Sequence, residues 1–130
     1  MIELVKLHHV SFAVADLERS KRFFGQILGL PEIERPGFNF GGAWYALGDR
    51  QLHLIEQSGE GRGQGAPNSR ADHIALEVRD VDAVRQTLEA AGVEFGEGSN
   101  RALGMEQIFC RDPDGHTLEF VRYHDSPAGS

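Results

Sequence analysis

His9, His53, His73 and Glu119 are the residues of this chain whose types and spacing suit metal chemistry. His73 lies 64 residues after His9, and Glu119 lies 66 residues after His53. His9 opens HVSFAVAD and His73 opens HIALEVRD, stretches of one pattern that close on Asp16 and Asp80. If the two stretches are equivalent strands related by an approximate twofold axis, His9 and His73 face each other across it. His53 and Glu119 then form a second related pair. Three imidazoles and a carboxylate make a nitrogen/oxygen donor set for a divalent transition metal, one of Zn, Ni, Co, Mn or Fe(II). Neutral imidazole and ionised carboxylate are both available near neutral pH.

A single strand histidine is more often a satisfied or half-exposed residue than a ligand. Four such residues at repeat-equivalent positions are much harder to obtain by accident. His8, His116 and His124 act as controls. Alternation puts His8 on the face opposite His9, His116 follows a turn, and His124 lies near the tail. All three take structural or exposed roles. His53 has two readings, because QLHLIE places its imidazole either in the site or among apolar neighbours. In the second case His9, His73 and Glu119 remain, a two-histidine-one-carboxylate set with open positions.

The elements that must position these residues also occur twice. Val10, Phe12 and Val14 alternate with His9, Ser11 and Ala13, as in a half-buried strand. Ile74, Leu76 and Val78 alternate with His73, Ala75 and Glu77 in the same way. Asp16 is an N-cap for a helix with Leu17, Phe24 and Leu28 as its apolar stripe, flanked by Phe23 and Ile27 and stopped by Gly29. Asp80 or Asp82 caps a second helix, with Val84, Leu88 and Ala91 on one side and Gly92 as its stop. Both helices are expected to cover the apolar strand faces. The strand-like segments PEIE, GAWYAL and QLHLIE follow the first helix. VEFGE, MEQIFC and HTLEFVRY follow the second, the last introduced by the turn DPDG. Strand–helix–strand–strand–strand is therefore written twice, over 6–57 and 71–124. The Gly-rich stretch of about 58–70 reads as a linker, and 125–130 as a frayed tail.

Composition narrows the partners. The chain has 130 residues, 40% of them hydrophobic, which suits a single domain of 1–130 with one core. A formal net charge of −7 argues against nucleic acid and anionic membrane as partners. No apolar run approaches the roughly 18 residues that cross a bilayer. MIELVKLHHV does not read as a secretory leader, so a cytoplasmic protein is expected. Cys110 is the lone cysteine, which excludes an intrachain disulfide and a thiolate-rich zinc site. Alternating with apolar residues in IFCRD, it reads as a buried, inert thiol.

The stretches LHHVSFAVADLERSKRFFGQILGL, ADHIALEVRDVDAV and FCRDPDGHTLEFV together resemble the vicinal oxygen chelate superfamily. That superfamily takes in glyoxalase I, fosfomycin-resistance thiol transferases, methylmalonyl-CoA epimerase, extradiol dioxygenases and bleomycin-binding proteins. The resemblance covers about Lys6 to Tyr123. It implies an α+β fold, two βαβββ modules forming a cupped mixed sheet with helices on the outside. It also implies metal ligands at His9, His73 and Glu119, with a fourth at the position of His53. Glyoxalase I and the epimerase usually carry Glu or Gln at that fourth place, so His53 is a departure.

The implied activity is that of a metal-dependent lyase or isomerase of glyoxalase type acting on a small oxygenated metabolite. Glu119 is the first candidate for the base and His53 the second. The alternatives are a fosfomycin-resistance-like thiol transferase, an extradiol-type dioxygenase, and a non-catalytic, bleomycin-resistance-like binder. RPGFNFGGAWY and NRALGMEQ offer pocket residues, Arg35, Phe40, Trp44 and Arg101 above all. Either arginine suits a substrate carboxylate or phosphonate. Family members commonly pair, so a homodimer is expected.

Overall fold

The computed structural model describes residues 3, 5–56 and 73–124. The expected linker and tail lie outside the described residues. The chain divides into two compact units, Met1–Glu60 and Gly61–Ser130, and each holds one four-stranded mixed sheet with a helix on it.

The first unit runs β1 (His9–Val14), α1 (Leu17–Lys21), β2 (Glu32–Ile33), β3 (Gly42–Leu47) and β4 (Arg50–Glu56). The sheet order is β1-β4-β3-β2, with β1 parallel to β4 and the other pairs antiparallel. Alternation sends Phe12, Val14, Ala43, Tyr45, Leu52 and Leu54 to the buried, helix-covered face. Asp16 caps α1 by accepting from the Arg19 amide at 3.1 Å.

The helix does not keep the regular spacing that the sequence suggests. From Arg22 to Ile27 it widens into a π-helical segment, and the Leu28 amide reaches the Phe23 carbonyl at 2.9 Å. Consecutive residues then turn through a smaller angle, so adjacent Phe23 and Phe24 are both buried. Leu17, Ile27 and Leu28 are only half-buried. The buried stripe is therefore Ser20, Phe23 and Phe24 rather than the expected apolar Leu17, Phe24 and Leu28.

The second unit repeats the order with β5 (His73–Glu77), α2 (Val81–Ala91), β6 (Phe95–Asn100), β7 (Met105–Arg111) and β8 (Thr117–Tyr123). Its sheet runs β5-β8-β7-β6, again with the first and last strands parallel. Asp80, not Asp82, is the N-cap, accepting from the amides of Asp82 and Ala83 at 2.9 and 3.3 Å. Gly92 ends α2 at φ 69°, a conformation that costs other residues a clash at Cβ. Val81, Leu88, Ile108, Cys110, Leu118 and Phe120 form the buried layer. Among the described residues no helix is long and apolar enough to cross a membrane.

Cys110 lies fully buried on β7, and burial, aided by the charge of Asp112, pushes its thiol up to about 12. At mildly alkaline pH the folded chain then holds about a thousandfold less thiolate than the unfolded one. Alkylation by iodoacetamide should therefore be slow until urea unfolds the protein. Equal rates with and without urea would contradict this burial.

Candidate metal centre

The four expected donors fall two to a unit, both on that unit's parallel first-and-last strand pair and at the same register. In the first unit His53 sits opposite Ser11, two residues beyond His9. In the second unit Glu119 sits opposite Ala75, two residues beyond His73. Paired residues share a face, so each unit turns one pair of donors away from its helix. The antiparallel neighbours match as well: Trp44 stands opposite His53, and Phe109 opposite Glu119. The duplication read from the sequence thus extends to the backing aromatic of each pair.

In the first unit the His9 and His53 rings stack at 4.1 Å with 15° between their planes. Trp44 stacks on the other face of His53 at 4.0 Å and 3°. His53 is buried, and its imidazole lies against His9. Burial lowers its basicity first, followed by the neighbouring His9, His8 and Arg35 charges. A neutral imidazole is the form that ligates metal. Its Nε2 meets Gln51 Oε1 at 2.8 Å.

His8 differs from expectation. Instead of facing away, its Nδ1 lies 2.9 Å from His9 Nδ1. His8 precedes β1, so strand alternation does not govern it.

In the second unit His73 Nε2 lies 3.1 Å from Glu119 Oε1. Gln107 Nε2 donates to Glu119 Oε2 at 3.1 Å. Phe109 meets His73 edge to face, with centroids 6.5 Å apart. His116 is committed to the turn, since Asp112 Oδ2 holds its Nδ1 at 2.8 Å. Asp112 Oδ1 also accepts from the amides of Asp114 and His116. His124 pairs with Glu106 at 3.1 Å.

Gln51 and Gln107 are the site neighbours that motif reasoning passes over as donors' partners. Their signal is positional: each lies on the ligand-bearing face, two residues from a donor or from a donor's cross-strand partner. Arg35, Phe40 and Trp44 gather in the first unit beside His53, and Arg101 is exposed in a short turn after β6.

The donor types fit a divalent metal. Imidazole nitrogen and carboxylate oxygen are its usual ligands, and the two pairs bring both kinds. Among the described residues no group of three or more His, Cys, Asp or Glu is placed to hold a metal ion. Each unit holds two of the four expected donors.

A βαβββ unit built twice, with donors in register on both copies, defines a glyoxalase-like fold. The model of the Glyoxalase/Bleomycin resistance protein/Dioxygenase superfamily matches residues 6–120, and the chain belongs to that superfamily. It is 37% identical over 120 residues to "Glutathione transferase FosA" of Serratia marcescens, covering 89% of this chain and 79% of that protein. It is 27% identical to "Glyoxylase I 4" of Arabidopsis thaliana, over 97% of this chain and 75% of the other. Among solved structures, a mutant of the Listeria monocytogenes fosfomycin resistance protein FosX superposes with a TM-score of 0.77. That match covers 98% of this chain and 97% of the other at 19% identity, which speaks to fold alone. That FosX structure holds Mn(II) and 1S,2S-dihydroxypropylphosphonic acid. Members of the superfamily are mostly metal-dependent enzymes working on small molecules.

Proposed function

We propose that the chain is a divalent-metal-dependent enzyme, a lyase or isomerase of glyoxalase type acting on a small oxygenated metabolite. His9, His53, His73 and Glu119 are its ligand set. The observation that carries this reading is the shared register of the two donor pairs. A purely structural histidine has no reason to recur at the same place in both units.

His9, His53, His73 and Glu119 would hold the ion, which would supply Lewis-acid stabilisation of negative charge developing on the substrate. Glu119 takes up and returns the proton, with His53 as its alternate. Gln107 holds one carboxylate oxygen and His73 lies against the other, which fixes the orientation of the carboxylate. Trp44 keeps the His53 ring in plane, and Arg35 supplies a positive charge beside it. The working form is taken to be a homodimer in the cytoplasm, on the family resemblance.

A second reading, thiol transfer to a small electrophile, draws its support from the likeness to FosA. Manganese is favoured among the candidate metals by the likeness to a manganese-dependent dioxygenase, 32% identical over 95% of this chain. The test is metal content by mass spectrometry after chelator treatment and reloading with Ni, Zn, Mn or Fe(II). About one ion per chain is expected. Binding no greater than that of a His9→Ala, His73→Ala variant would leave the donors structural and favour a non-catalytic binder.

A further inference from the structure

The segment joining β2 to β3 carries a built array beside His53. Phe38 and Phe40 stack at 5.2 Å with 17° between their planes, although 46% and 44% of each is exposed. The Arg35 guanidinium lies over both rings, with Cζ 4.8 Å from one centroid and 5.1 Å from the other. Arg35 Nη2 donates to the Phe40 carbonyl at 2.9 Å, which pins the guanidinium in place. Gly42 makes room for it, because a Cβ there would come within 2.9 Å of Arg35 Nε and Nη2. Phe38 is 6.2 Å from Trp44, whose ring stacks on His53. Aromatic surface therefore runs without a break from Phe40 to the histidines.

Three properties of the array select a ligand. Large exposed rings held together are unusual, because such area is ordinarily withdrawn from water. Among the described residues Arg35 has no carboxylate partner, in a chain whose net charge is −7. A guanidinium has five donors in a fork that matches a carboxylate, and only the bond to Phe40 engages one here. Rings add a preference for a planar π face over a saturated chain.

We propose that Arg35, Phe38, Phe40 and Trp44 form a recognition platform for an aromatic acid, a planar ring bearing a carboxylate. Such acids are then the substrate class of the His53 site. This rests on the proposed metal enzyme for its chemistry, but the platform binds through its own residues.

Trp44 is the chain's one tryptophan, so intrinsic fluorescence reads this array alone. The full chain, once loaded with Mn(II) and once stripped with chelator, is titrated with phenylglyoxylate. Glyoxylate and propylphosphonate lack the ring, cyclohexylglyoxylate lacks the planar face, and acetophenone lacks the charge. Phenylglyoxylate is expected to give a saturable change in both forms, at about tenfold lower concentration than the ring-free or saturated acids. Arg35→Gln should weaken phenylglyoxylate about tenfold and leave acetophenone unchanged. Phe38→Leu with Phe40→Leu should weaken both aryl ligands, with circular dichroism confirming that the fold is retained.

Equal affinity for glyoxylate, unchanged binding in both variants, or no saturable change with phenylglyoxylate would overturn the proposal. The two readings fail separately. Normal aryl-acid binding by a chain that retains no metal removes the metal centre and keeps the platform. Tight metal with no aryl preference does the reverse.

Discussion

Glu119→Gln should leave the protein folded while lowering its affinity for a divalent metal at least about 100-fold and its turnover by roughly 10²–10⁴-fold. Glu119 is 94% buried and holds two partners, His73 Nε2 and Gln107 Nε2, each at 3.1 Å. Taking a carboxylate out of water is costly, and two hydrogen bonds only partly offset that cost. The amide has the same shape and no charge, so the metal-free variant should be within about 1 kcal/mol of the parent in stability. Glu119→Ala is a different perturbation, because it removes the carboxylate partner of the Gln107 amide and of the His73 imidazole and should cost about 1–3 kcal/mol. Metal per chain, turnover and unfolding of the stripped protein separate these effects. A Glu119→Gln variant with parental metal content and parental rate would remove Glu119 from both proposed roles.

Phe24→Ala should be the most damaging single change to the first unit, costing about 3–5 kcal/mol. Total stabilities of native domains are about 5–15 kcal/mol, so much of the margin would go. Phe24 is fully buried, 6.2 Å from Phe12 and 5.0 Å, nearly perpendicular, from Phe23. It sits in the widened helical segment, whose carbonyls are already committed to Leu28 and Leu30. The backbone therefore cannot readily close the space left by the ring. Urea unfolding of the variant measures the loss, and a cost below about 1 kcal/mol would show that the site collapses freely.

The strand positions of His9, His53, His73 and Glu119 were legible because a period of two marks a strand face and a duplication marks the equivalent strand. Their role as donors is the proposal, not part of that reading. The caps Asp16 and Asp80 and the stop Gly92 were equally legible, since each is a local bond or a local dihedral. The widened turn at Arg22–Ile27 was not, because it answers to packing against the sheet rather than to any residue within RFFGQI. The contact between His8 and His9 was missed for a related reason: His8 stands outside β1 and is free of its alternation. Gln107 could be named as a pocket residue, but its bond to Glu119 depends on the pairing of β7 with β8. Trp44 could likewise be named, but not its stacking, which follows from the antiparallel register that sets it opposite His53.

The parallel joining of β1 to β4 has a consequence for biosynthesis. His9 is made well before β4, and among the described residues its strand has no neighbour until residues 51–56 have been added. Closing so long a loop is slow compared with forming α1, which needs only nearby residues. A nascent chain ending before β4 thus carries a lone edge and no donor pair. The second unit imposes the same wait between His73 and β8. Neither half can bring its two proposed donors together until its own last strand has left the ribosome, so the proposed set of four is complete only after β8 is made.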